Sequence, residues 1–509
     1  MQQPRLSSHH SQRRRTPAPT FGAALFLALA LNPGAHAQTE KLQTPPGSLW
    51  AAWQIARIYN PQFREARSRL AATRTRHPSA LAGLLPRLSL DANQAYTNGQ
   101  SAGPQFYGNN LLTVEQSENI SQSYWTVTLS QPIFNWEAIQ KLAAANARVA
   151  AAAATYDATR MKLMQTLVSR YLAVGVAQAQ LAATRATEAA FALEARQARD
   201  RHQSGLRGII GYEEARSAKA SAEARVITAR HELRKADAAL AELTGPSFPP
   251  EIPSRTGRLP AIPLPPRSTR AWIREAREAN PTVLAARLKA RSARASVSAA
   301  RGGYLPTLRL ELSHTRQLTG GTYGYAVPGQ VDFPSPAANT AQQNFLLLNL
   351  HWNFYAGGGT QARIDRAHDE ARLAGAQAVR AFLKTETTIV DALSAFHADL
   401  ARVRAYEESA RAARRAVVAT EAGVQAGLRS EFDLVNARLS LLSAETNLPA
   451  VRARLIDDAL SLEAAAGLLT PKALRRLSRL FDRLPESKAL LTPLHPFTQP
   501  RFHSPGDQS

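Results

Sequence analysis

The chain repeats itself at a nearly constant spacing of 220 residues, and no other feature limits its fold as strongly. Asn60-Pro61 leads to Leu84-Leu85-Pro86-Arg87-Leu88, and Asn280-Pro281 leads at the same interval to Tyr304-Leu305-Pro306-Thr307-Leu308. Ile133-Phe134 then matches Phe354-Tyr355 at 221, and Gly205-Leu206 matches Gly427-Leu428 at 222. Landmarks held in register over so long a stretch mark a tandem duplication. Each half reads helix, strand, polar loop, strand, very long helix, turn, long helix. The first repeat is expected over 38–244, with strands at 87–97 and 123–134 and a turn at 204–210. The second is expected over 269–470, with strands at 307–315 and 344–355 and a turn at 425–430. Residues 245–268 separate them and hold eight prolines, which makes an extended linker. A C-terminal irregular tail is expected over 471–509.

The strands alternate with period 2, one face apolar and the other polar, which is the pattern of barrel strands. Leu88, Leu90 and Ala92 oppose Ser89, Asp91 and Asn93; Trp125, Val127 and Leu129 oppose Thr126, Thr128 and Ser130. In the second half Leu308, Leu310 and Leu312 oppose Arg309, Glu311 and Ser313, and Leu346, Leu348, Leu350, Trp352 and Phe354 oppose Asn349, His351 and Asn353. The connecting stretches 98–121 and 316–343 are rich in Gly, Asn, Ser and Gln, as long external loops would be.

The helical segments are the opposite extreme. Residues 137–203 contain no Pro, and a continuous helix there would reach about 100 Å. Ile389, Leu393, Phe396, Leu400 and Val403 step as a coiled-coil seam, and Leu163, Leu167, Val174 and Leu181 keep a similar register. Pro449 falls inside the last long helix, where it costs about 3 kcal/mol and predicts a kink.

Four strands cannot close a membrane barrel, which needs at least about eight because an open edge in lipid leaves backbone groups unpaired. The chain must therefore oligomerise; three copies would supply twelve strands and two only eight. The fold expected is mainly α with a small β part, the Ala-rich helices continuing the strand cylinder beyond the membrane.

The N-terminus fits export. Arg5, Arg13, Arg14 and Arg15 precede an apolar run from Phe21 to Leu31 that ends in Ala35-His36-Ala37, so residues 1–37 read as a signal peptide. The Sec and twin-arginine routes both stay open. The net charge of +23 falls to +19 without the four leader arginines, and the remaining basic residues spread along helices. Export and this spread argue against a nucleic-acid partner. Cys is absent, which excludes disulfides and thiolate chemistry. The twelve His residues show no metal spacing. Gly357-Gly358-Gly359 lacks the Gly-Lys-Ser/Thr of a phosphate loop. No cofactor and no enzymatic activity is expected, and Glu407, Glu408 and Glu421 read as a solvated helix face.

The Asn-Pro starts, the Leu-Pro-x-Leu strand entries and the Gly-Leu turns resemble the TolC-like outer membrane efflux proteins over about residues 50–470. The resemblance implies a homotrimer in the outer membrane: a 12-stranded β-barrel in lipid, continuous with a trimeric α-barrel tunnel in the periplasm. It implies an exit duct for an inner-membrane exporter, reached through a periplasmic adaptor, in efflux of small molecules or type I protein secretion. It places Gly205, Leu206, Gly427 and Leu428 at adaptor-docking tips. It also implies a periplasmic gate in which Arg429 is the link-forming arginine and Asp433 the first ring carboxylate. The second ring carboxylate falls on Asn436 and the partner acid of Arg429 on Gly211, which departs from the family pattern. Glu213 or Glu214, one turn along, is expected to replace that acid. The competing reading is a non-conducting periplasmic coiled coil that bridges the envelope.

Overall fold

The computed structural model describes residues 47–107, 109–205, 208–246, 248, 267–326 and 334–482. The expected signal peptide, most of the linker and the end of the tail lie outside these residues. Each repeat opens with short helices: α1 (Leu49–Tyr59), α2 (Pro61–Arg74) and α3 (Arg76–Leu81) in the first, α6 (Thr269–Ala279) and α7 (Pro281–Arg301) in the second. The repeated Asn-Pro explains their joints. Asn60 accepts a hydrogen bond from the Phe63 amide at 3.0 Å, and Asn280 accepts from Thr282 at 2.8 Å and Val283 at 3.2 Å. Each Asn is thus an N-cap, and each Pro sits at the first helical position, where its missing N–H costs nothing.

The strands are longer than the sequence predicts. β1 (Arg87–Tyr107) pairs antiparallel with β2 (Asn110–Phe134), β2 with β3 (Thr307–Ala326), and β3 with both β4 (Ser335–Pro336) and β5 (Asn339–His351). Most of the stretches expected to be loops, 98–121 and 316–343, continue the ladder. Their Gly, Ser and Asn side chains are weak strand formers, but an antiparallel register such as Gln100↔Ser117 satisfies the backbone whatever the side chains. A crossing takes about 9–11 residues, so the first hairpin projects well beyond any bilayer. β5 ends earlier than the expected 355. Trp352 leaves the strand and donates its indole N–H to the Tyr304 carbonyl at 3.1 Å.

The sheet remains open. Among the described residues β1 has only β2 as a neighbour and β5 only β3. Its apolar side is bare: Leu88, Leu90, Leu346, Leu348 and Leu350 are all exposed. A protein in water does not leave such a Leu surface uncovered.

Beyond the sheet, helices follow in the order of the strands: α3 against α4 (Trp136–Gln203), α4 against α7, and α7 against α8 (Gly359–Gln425). The return helices are α5 (Ile209–Thr244) and α9 (Glu431–Ala465), packed on α4 and α8. α4 has 68 residues and α8 has 67, so each is about 100 Å long. Among the described residues no helix is apolar enough to cross a membrane. Both predicted seams are present: Ile389, Phe396 and Val403 are buried on α8, and Leu163, Leu167, Val174 and Leu181 on α4. α9 runs through the buried Pro449.

The largest core joins α1, α4, the end of α5 and α9. It also contains α10 (Pro471–Asp482), which corrects the expectation of an irregular tail from 471. Leu474, Leu477 and Phe481 are buried there, and Tyr171 stacks on Phe481. The two Pro at 493 and 496, with the neighbouring basic and polar residues, mask an amphipathic period confined to one short segment.

A further duplicated pair emerges at an offset of 222. Gly245 and Gly467 end α5 and α9 with φ of 81° and 78°. A Cβ at Gly245 would meet the Tyr59 ring at 2.9 Å, and one at Gly467 would meet the Ala279 carbonyl at 2.5 Å. Gly467→Ala therefore combines a left-handed backbone penalty with a backbone clash. We expect it to lower stability by about 2 kcal/mol or more, read as an earlier thermal melt of the detergent-solubilised protein.

Candidate functional site

The two helical turns predicted as docking tips are alike in geometry. Gly205 has φ 71° and donates its amide to His202 O at 3.0 Å; Gly427 has φ 76° and donates to Val424 O at 3.1 Å. At the second turn Leu428 N also bonds Gly423 O at 2.8 Å, completing a glycine-ended helix stop. Leu428 is 82% exposed. Leu206 lies outside the described residues.

The expected gate residues divide into two groups. Asp433 closes a capping box: Ser430 N donates to its carboxylate at 3.0 Å, and Asp433 N donates to Ser430 Oγ at 3.1 Å. The Ser430 backbone bond, then its side chain, hold the Asp433 carboxyl below the usual range, with Arg429 a smaller contributor. Asp433 is thus a cap as well as a candidate ring acid. Arg429 lies with its stem against Gly423 and makes no ion pair among the described residues. Gly211 has open space around its Cα.

Glu213, Glu214 and Asn436 come together elsewhere. They line one cleft of about 610 Å³ between α5 and α9, with Ile209, Ile210 and Phe432 as its apolar wall. Glu213 pairs with Arg216 on its own helix at 3.5 Å, not with Arg429. Within one chain, the structure does not bring either glutamate to Arg429.

A charge network near the tips went unnoticed in the sequence. Glu194 on α4 is buried and meets Arg438 on α9 at 2.5 Å; Arg438 reaches Glu421 on α8 at 3.7 Å. Arg201 on α4 pairs with the buried Glu431 on α9. Burial raises the Glu194 carboxyl to about 7; Arg438 opposes this, while Glu431 and Glu421 add to it. One Glu194 oxygen has no hydrogen-bond partner among the described residues. The signal was present: Glu194 sits on the buried stripe Phe191, Ala195, Ala198, and Arg438 lies between buried Leu434 and Leu442. A charge on an apolar stripe calls for a partner. The same network corrects the solvated reading of Glu421, and Glu407 likewise crosses to Arg452 on α9 at 2.6 Å. Glu408 pairs with exposed Arg411 and Arg415 on its own helix.

Comparison with known proteins agrees with this architecture. The family described as "Outer membrane efflux protein" matches residues 52–246 and 272–468, one span per repeat. The chain is 26% identical over 459 residues to outer membrane protein TolC of Escherichia coli, covering 88% of each. It is 24% identical over 400 residues to the alkaline protease secretion protein AprF of Pseudomonas aeruginosa, covering 78% of this chain and 79% of the relative. The outer membrane protein VceC of Vibrio cholerae has the same fold, with TM-score 0.65 and 19% identity over 82% of this chain and 96% of that one. With both repeats matched and the strand–helix order shared, the chain belongs to the outer membrane efflux protein family and resides in the outer membrane with a periplasmic helical extension.

Proposed function

We propose that three copies close one 12-stranded barrel and continue it as a trimeric α-barrel tunnel, forming a passive exit duct. The observation that carries this reading is the open sheet with a bare Leu face, joined to helices about 100 Å long. In lipid, the unpaired edges of β1 and β5 need strands from another copy. The inward face, with Asp91, Arg309, Glu311 and Thr315, then lines a wet lumen. Energy comes from an inner-membrane exporter, reached through a periplasmic adaptor that docks at Gly205, Leu206, Gly427 and Leu428. The exposed Leu428 is the apolar knob such a partner can cover. Cargo is chosen upstream, so efflux of small molecules and type I protein secretion use the same duct. A heat-modifiable trimer in outer-membrane fractions and single-channel conductance in planar bilayers test the reading; a non-conducting protein outside the outer membrane overturns it.

The gate belongs to the same proposal. Arg429 and Asp433 stand beside the second turn, and Glu213 or Glu214 supplies the acid for Arg429 across the interface between copies. Alanine at both glutamates is expected to raise closed-state conductance and antibiotic leakage. Unchanged conductance and leakage in that variant remove the pair from the gate.

A further inference from the structure

The lipid-facing side of the sheet carries an arginine with no acid near it among the described residues. Side chains alternate along β3, and the register with β2 is unbroken from Glu115 to Pro132. Leu88, Leu129, Leu312 and Leu346 therefore form one outward row, because each is directly paired with the next. One row on, His314 pairs with Val127 and Asn344; the next row places Arg316 between Trp125 and Gln342. The contacts agree with a shared face: His314 Nδ1 lies 2.7 Å from Asn344 Oδ1, and the Trp125 and His314 rings are 5.2 Å apart. The nearby acids have the opposite phase. Asp91 pairs with Thr126, which pairs with Thr315, and Glu311 meets Arg309, all on the inward side. The Arg316 Nε is buried and has no hydrogen-bond partner among the described residues.

Depth identifies the occupant. A crossing spans about 9–11 residues of strand. Counting from the helical end, that length reaches from Leu308 to Arg316 and from Phe134 to Trp125, so both lie at the rim far from the helices. Aromatic residues mark such rims, and a lipid-facing Arg is costly at mid-depth but costs only about 0–1 kcal/mol near the interface. A neighbouring copy cannot supply the counter-charge, since β3 is flanked by β2 and β5 of its own chain.

We propose that Trp125, His314, Arg316, Gln342 and Asn344 form a binding site, one per protomer, for the phosphate of a phosphorylated glycolipid in the outer leaflet. The guanidinium takes the phosphate, the imidazole and the amides reach neighbouring sugar oxygens, and Trp125 seats the acyl–headgroup boundary. This rests on the barrel reading above, which puts the far rim in the outer leaflet.

The test uses the full trimer, delipidated and reconstituted in vesicles of phosphatidylcholine with or without lipopolysaccharide. Phosphorylated glycolipid retained after re-extraction is measured by native mass spectrometry, with conductance recorded from the same vesicles. Wild type and Arg316→Lys are expected to retain the lipid, and Arg316→Gln to retain about tenfold less. Arg309→Gln, which removes the same charge from the inward face, is expected to match wild type. Equal retention by conducting wild-type and Arg316→Gln trimers overturns the site and leaves the duct intact. Displacement of the lipid by millimolar inorganic phosphate also overturns it, as a free-anion site. A wild type that never conducts overturns the duct, and this site with it.

Discussion

Arg438→Ala is expected to destabilise each protomer by about 3–5 kcal/mol, the cost of leaving a buried charge unpaired. Glu194 is only 5% exposed, one of its oxygens already lacks a partner among the described residues, and Glu431 and Glu421 both lie close enough to repel it. Removing Arg438 takes away the one group that favours the ionised form. The pH dependence has a defined sign. The Glu194 carboxyl titrates near 7 in the folded chain against 4.5 for an ordinary glutamate, so the native state holds the extra proton. Its contribution is fully present below 4.5 and is lost as pH rises through about 7. The variant should therefore melt well below wild type at pH 8 and come closer to it at pH 5. Glu194→Gln should melt near wild type and lose the dependence over that window, because Arg438 keeps Glu421. Combining it with Arg438→Ala should restore most of the loss. Calorimetry of the detergent-solubilised protein at the two pH values reads all three; a pH-independent loss in Arg438→Ala would show that packing, not charge, is what Arg438 supplies.

The second large effect belongs to the sheet. Leu348→Arg puts a charge among Leu310, Leu346 and Leu350 on the outward face, where a lipid-facing Arg costs about 2–4 kcal/mol. If three copies share one barrel, as proposed above, the cost is multiplied, and the assembled protein should disappear from outer-membrane fractions. Asn349→Arg, one residue away, should still assemble and, if the polar face lines the lumen as proposed, shift ion selectivity toward anions, since residue 349 pairs with Arg309 on that face. Equal assembly of the two variants would falsify the assignment of faces.

Much of this chain was readable from local pattern. Strand phase is visible in Leu308, Leu310 and Leu312, because alternation is imposed by the pleat of each strand. The cap role of Asn60 and Asn280 follows from the next few residues alone. The seam at Ile389, Phe396 and Val403 needs only helical periodicity. Asp433 was less legible. Its spacing from Ser430 is that of a capping box, yet its resemblance to a ring acid drew it toward the gate, and the structure ties its carboxylate to the cap. The pairing of Glu213 with Arg216 rather than Arg429 was equally hidden, since a long helix offers several partners at similar spacing.

By itself, then, the sequence determined the duplication, the strand faces and the helices of about 100 Å, because each follows from interactions within a few residues repeated many times. Tertiary structure alone decided which elements meet. It left β1 and β5 as open edges, joined Glu194 to Arg438 across 244 residues, and set Arg316 beside Trp125 with no acid in reach among the described residues. Those outcomes turn on burial and on long-range register, and neither exists until distant segments pack.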